Sequence, residues 1–250
     1  MRIRNSSLLL LALLMAACSP TLYQPASKVN YSKYDIKPGA GFTSVQTMLA
    51  PYSANVNQTM NNVIGELAQS LEKKMPESSL GFFMTDAYKI QAEKVFGQKV
   101  DLAFMNNGGI RTNSLPAGKI TVGSIYELMP FDNLLVLLEL NGSQLQALMD
   151  HIATRGGWPV SGGTYKVVNK KAVDVKVNNA AINANDKYVI AISDYIANGG
   201  DDCVMLKNIP PVNKGYLQRD ALIDYVKEKC ANGQPLPLPV MNRVQTEEAP

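Results

Sequence analysis

Residues 134–153 read LLVLLELNGSQLQALMDHIA, and this stretch decides the architecture. Positions 134–140 are apolar almost throughout, with no outward polar face, which predicts a strand covered on both sides. Asn141-Gly142 supplies a turn, and Ser143 is placed to cap a helix through QLQALMDHIA. Strands follow downstream as TYKVV, VDVKVNN and YVIAISD, with turns at Asn178-Asn179 and Asn185-Asp186. Upstream, Ser78 or Ser79 can cap a helix through LGFFMTDAYKIQAEKV, whose apolar residues recur at helical spacing. Residues 100–105 read as a short apolar strand, and 121–128 begin as strand and turn helical. Residues 42–52 predict a helix ending near Pro51, and 63–71 fit a strand or a helix. The amphipathic helix at 217–230 closes at Asn232-Gly233, and PLPLP follows as an extended tail. Helices interspersed with strands, some in hairpins, give an α+β class: a mixed β-sheet with packed helices.

The first residues point to a compartment. Arg2 and Arg4 precede the apolar run LLLLALLMAA at 8–17, too short to span a bilayer comfortably and ending in small residues, as in a secretion signal. MAAC, ending at Cys18, resembles the lipid-attachment motif of exported bacterial lipoproteins, with Met15 where leucine is usual. An ordinary cleaved signal with an incidental cysteine is the alternative. The expected organisation is a signal at 1–17, a polar tether at 18–38 and one domain at 39–245, exported and lipid-anchored in the cell envelope. No other segment approaches membrane-spanning length.

The formal charge is +3 over 250 residues; without Arg2 and Arg4 it becomes about +1. That gives no basic field for nucleic acid. Cys203 and Cys230 could pair as a disulfide in an oxidising compartment or stay separate thiols, and their spacing does not suggest zinc.

No catalytic machine is visible. The sole histidine, His151, falls near a helix end, where such residues usually face solvent or offset the helix dipole. Spacings for a di-metal centre, a phosphate-cradling loop with its lysine, and G-x-S-x-G are all absent. Asp201-Asp202 could attract a divalent cation, but two adjacent carboxylates are weak evidence. No residue is assigned a catalytic or metal-ligating role.

What remains looks like a binding site. NNGGIR, 106–111, puts Asn107, Gly108, Gly109 and Arg111 just past a buried strand, where backbone N–H groups and a planar guanidinium can meet a ligand. MPFDN, 129–133, sets Phe131 beside the amide of Asn133. SDYIANGGDD, 193–202, repeats the theme with Tyr195, Gly199, Gly200 and Asp201 after an apolar strand. Two aromatics at two strand ends could clamp a flat ring, while amide and carboxylate read its edge and a sugar's hydroxyls. Each piece alone is better explained as a turn, a core ring or a loop cap, and it is the combination that points to a ligand.

Together, NNGGIR, GKITVGSIYELMPFDNLLVLLELNGSQL, VSG and NGGDD, with the upstream PYSANVNQTMNNVIGELAQSL, resemble the C-terminal domain of the 5'-nucleotidases over most of 42–244. The resemblance implies that family's α+β domain, which binds the nucleotide's base and sugar beside an N-terminal metallophosphoesterase domain carrying two metals. It implies that Phe131 and Tyr195 sandwich the base, with Tyr195 where phenylalanine is common. It further implies that Asn133 bonds the base, Asp201 the ribose hydroxyls, and Arg111 the anionic or ribose side. Gly156, before Trp158-Pro159, would lend a backbone contact. Two departures stand out. A metal domain is absent from these residues, and Lys73 and Lys74 stand where arginines often precede the SSLGFF segment, which puts phosphate recognition in doubt.

The leading expectation is therefore the nucleoside- or nucleotide-binding half of a split 5'-nucleotidase. It carries no cofactor itself, and a separate metallophosphoesterase chain supplies the divalent metals. A non-catalytic nucleoside-capture lipoprotein and a ligand-free structural scaffold are the alternatives. The expected partners are that chain and the membrane, not nucleic acid.

Overall fold

The structure, a computed structural model, describes residues 40–247. Cys18, the expected signal at 1–17 and the expected tether at 18–38 lie outside the described residues. By its own contacts the chain divides into Met1–Met48 and Leu49–Pro250. The first helix spans Ala40–Met60 and contains Pro51, so it does not end where the proline predicts. A proline removes one backbone donor, and the turns after it still close: Asn61 N donates to Asn57 O at 2.9 Å.

The second unit is organised on a five-stranded sheet. Its order is Val212–Leu217, Leu134–Asn141, Lys187–Ser193, Leu102–Phe104, Val160–Ser161. All neighbours are antiparallel except Lys187–Ser193 with Leu102–Phe104, which run parallel, so the sheet is mixed. The long central pair runs from Lys187↔Asn141 to Ser193↔Leu135.

Alternation across this sheet explains the apolar run at 134–140. Leu135 and Leu137 pack into one core cluster with Ala103 and Ala191. Val136, Leu138 and Leu140 pack into a second with Leu102, Phe104, Ile190 and Ile192. Neighbouring side chains leave a strand on opposite faces, so both faces of Leu134–Asn141 are buried. Each fully buried leucine stabilises the fold by roughly 1.5–3 kcal/mol.

The first face is covered by helices Ser79–Phe96 and Gln218–Lys229, through Phe83, Met84, Tyr88, Leu222 and Val226 among others. Helix Gly142–Thr154 covers the second with Leu145, Leu148, Met149 and Ile152. A four-stranded sheet (Ala180–Ala181, Lys171–Val177, Gly163–Val168, Val244–Glu247) sends Tyr165, Val167, Val175 and Val244 into that same second core.

Local signals account for the ends of these helices. Ser78 caps Ser79–Phe96, its hydroxyl accepting from Gly81 N at 2.9 Å. Asn141, not Ser143, caps Gly142–Thr154. The Asn141 side chain accepts from Gln144 N at 2.8 Å, and the Gln144 side chain accepts from Asn141 N at 2.9 Å. This reciprocal box satisfies two helix-start donors at once, which Ser143 could not. Residues 63–71 resolve as strand over Val63–Leu67, paired with Gly118–Thr121.

Cys203 and Cys230 are free. Cys203 is buried in the second core and Cys230 packs against the first, so they belong to opposite faces of the sheet and the disulfide is not formed.

Candidate functional site

The sheet register determines what meets at its end. Ser193 pairs with Leu135 on an antiparallel neighbour, so the chain after Ser193 and the chain before Leu134 emerge at the same end. Leu102–Phe104 runs parallel to Lys187–Ser193, so NNGGIR emerges there too. Three loops distant in sequence thus converge on a cavity of about 460 Å³ lined by Asn106, Gly108, Gly109, Arg111, Phe131, Asn133, Tyr195 and Asp201. Its size is that of an ordinary small-molecule site.

Each loop is held from behind. Ser193 caps the short helix Asp194–Ala197, and the Asp194 carboxylate accepts from Leu134 N at 3.0 Å and from Tyr195 N at 2.8 Å. One carboxylate oxygen therefore ties the loop of Phe131 and Asn133 to the turn of Tyr195. From the other side, buried Arg219 donates to Phe131 O at 3.1 Å and to the Asp132 carboxylate at 2.7 Å, with its guanidinium 4.1 Å from the Tyr126 ring centroid. Gln218 N donates to Asn133 O at 2.9 Å. With the loop's backbone so engaged, Phe131 stays 39% exposed and Tyr195 47% exposed, both on the cavity. Large aromatic rings left half in water at a cavity mouth suit a flat partner.

Charge in the cavity is balanced. Arg111 is exposed, its guanidinium 5.3 Å from the Phe131 ring centroid, and it donates to Gly108 O at 3.2 Å. That leaves further donors of its fork available. Asp201 supplies a carboxylate, one oxygen accepting from Asn106 Nδ2 at 2.8 Å and the other from the Tyr195 hydroxyl at 3.1 Å.

Seven of the residues expected from sequence line the cavity: Gly108, Gly109, Arg111, Phe131, Asn133, Tyr195 and Asp201. Asn107, Gly156, Gly199 and Gly200 do not. Asn107 instead donates from its amide to Gly157 O at 2.8 Å, bracing the loop from outside. Gly200 lies beneath Tyr195, where an added Cβ would stand 2.5 Å from the ring, so only glycine permits that approach. Asn106 is the lining residue that the sequence reading passed over. It is 8% exposed, and its signal was its place in the same Asn-Asn pair.

Lys73 does not line the cavity; its ammonium donates to Ile110 O at 2.8 Å and so steadies the NNGGIR loop. His151 Nε2 lies 2.8 Å from Asp201 O, and Arg155 pairs with Asp202 at 2.5 Å. Cys203, beneath this loop, has its thiol pushed up to about 12 by burial and then by the Asp201 charge. Among the described residues, no group of three or more His, Cys, Asp or Glu side chains could hold a metal ion.

The sequence pattern described as 5'-nucleotidase, C-terminal domain, matches residues 56–208. The chain is 28% identical over 233 residues to the cell wall protein Lmo0130 of Listeria monocytogenes, covering 84% of this chain and 30% of that one. It is 26% identical over 193 residues to a 5'-nucleotidase of Vibrio parahaemolyticus, covering 72% and 33%. Among solved structures, a 5'-nucleotidase precursor from Thermus thermophilus superposes with TM-score 0.72 at 28% identity, over 84% of this chain and 44% of that one. The chain spans about a third of the length of these curated relatives.

Proposed function

The chain belongs to the 5'-nucleotidase C-terminal domain family, and on that premise we propose that it binds nucleosides or nucleotides outside the cytoplasm as the substrate-holding half of a split 5'-nucleotidase. In this reading the base stacks between Phe131 and Tyr195, Asn133 hydrogen-bonds its edge, and Asp201 accepts from the ribose hydroxyls. Arg111 meets the anionic side. The single supporting observation is that these five side chains, from three separated stretches of sequence, line one cavity.

Hydrolysis would fall to a metallophosphoesterase on a separate chain, carrying the divalent metals that activate water. Delivery of a bound, oriented nucleotide to such a centre converts an encounter into a near-unimolecular step. The name of one relative, a cell wall protein, supports a place in the cell envelope. Anchoring through a lipid on Cys18 would raise the effective concentration of the two partners on a shared membrane.

A second reading, nucleoside capture without hydrolysis, draws on the cation count. Among the described residues, Arg111 is the one cation lining the cavity, because the Lys73 ammonium is engaged by Ile110 O. Titration calorimetry with adenosine and AMP separates the two. Tighter AMP binding supports the nucleotidase half, equal binding supports capture, and absence of binding to either overturns both.

A further inference from the structure

Asp201 sits at φ 50°, ψ 36°, a left-handed conformation that disfavours a residue with a Cβ. Its surroundings hold it there. The Tyr195 hydroxyl accepts from Asp201 N at 3.2 Å and donates to Asp201 Oδ1 at 3.1 Å, closing a ring of two hydrogen bonds between two residues six positions apart. Asn106 Nδ2 donates to Oδ2 at 2.8 Å, and His151 Nε2 meets the Asp201 carbonyl oxygen at 2.8 Å. The Tyr195 ring is itself fixed, because the Gly200 backbone lies against it so closely that a Cβ there would be 2.5 Å from Cε1. One face of that ring is thus backed by protein, and the opposite face is the one open to a flat ligand.

We propose that the Tyr195 hydroxyl is a positioning group that latches Asp201, so that the side chain whose ring stacks on the base also sets the carboxylate that reads the sugar. The inference rests on the nucleoside-binding reading above. Two donors already satisfy one lone pair on each carboxylate oxygen, and each oxygen keeps another for a hydroxyl. With the carboxylate pre-oriented, a vicinal diol binds without the cost of ordering the loop. The ligand class that follows is ribonucleosides, favoured over analogues lacking the sugar hydroxyls. A ring without the hydroxyl would stack equally well and leave the Asp201 carboxylate held by Asn106 alone.

The test is a double-mutant cycle read by titration calorimetry with adenosine and 2',3'-dideoxyadenosine on the full chain. Tyr195→Phe should weaken adenosine about tenfold, the loss expected for a hydrogen bond to a charged group, and weaken the dideoxy analogue less than about twofold. In an Asp201→Ala background, Tyr195→Phe should change adenosine affinity by less than about twofold, because the hydroxyl then has no carboxylate to orient. An equal loss for both ligands, no loss for adenosine, or an undiminished tenfold loss in the Asp201→Ala background overturns the latch. A wild-type chain that binds neither ligand removes the nucleoside reading itself, a result distinguishable from all three.

Discussion

Phe131 and Tyr195 reach the same cavity from loops 64 positions apart, and each keeps its ring part-exposed while its backbone is tied down. Stacking on such a ring is worth about 1–3 kcal/mol per base. Phe131→Ala should therefore weaken adenosine binding by about tenfold, measured by calorimetry; unaltered affinity would exclude the clamp. The residues that carry this cavity were legible because their chemistry is unusual for a strand exit: aromatic, amide, arginine and acid beside glycines. The sequence does not distinguish Asn106 from Asn107, because side-chain direction after the last bridged residue is not readable from it. The 3₁₀ turn Asn107–Gly109 interrupts the alternation there and sends Asn107 to Gly157 instead.

At the scale of the element, the loops inherit their positions from Leu134–Asn141 and its neighbours. Leu137 is 1% exposed at the centre of the first core, and Leu137→Ala should cost about 2–5 kcal/mol, visible as a lowered urea midpoint. A midpoint unchanged within error would mean that the strand is not buried on that face. Asn141→Ala removes the helix cap and should cost about 0.5–2 kcal/mol by the same assay, whereas Ser143→Ala should be near neutral. The strand Val212–Leu217 gave no signal, since its residues Val212–Gly215 are exposed and mostly polar or small, and it exists by pairing with Leu134–Asn141. Val244–Glu247 likewise becomes a strand only by lying parallel to Gly163–Val168. Edge strands take their hydrogen bonds from a neighbour, so their own composition needs little β character.

For the molecule as a whole, the two cores on opposite sides of one sheet decide the fate of the cysteines. Native-state alkylation followed by peptide mapping should modify Cys230 well before Cys203, which is buried and whose thiol is held protonated up to about pH 12. Equal rates would contradict that burial. Because the folded value lies above the ordinary 9.0, neutral Cys203 favours folding below pH 9 and that contribution is lost as pH rises toward 12. A further expectation at this scale is that the chain alone, supplied with manganese or zinc, releases no phosphate from AMP in a colorimetric assay; sustained turnover would defeat the split-enzyme reading. The sequence by itself determined the α+β class, the doubly covered central strand and the stretches that set aromatic, amide and charged side chains beside glycines, because hydrophobic period and side-chain type are local properties. Only the tertiary structure decided that Ser193 lies opposite Leu135 and that its strand runs parallel to Leu102–Phe104, which side of the sheet each cysteine joins, and that Tyr195 bonds Asp201. Those are matters of register and of which face a side chain takes, and both are set by pairing between segments far apart in the chain.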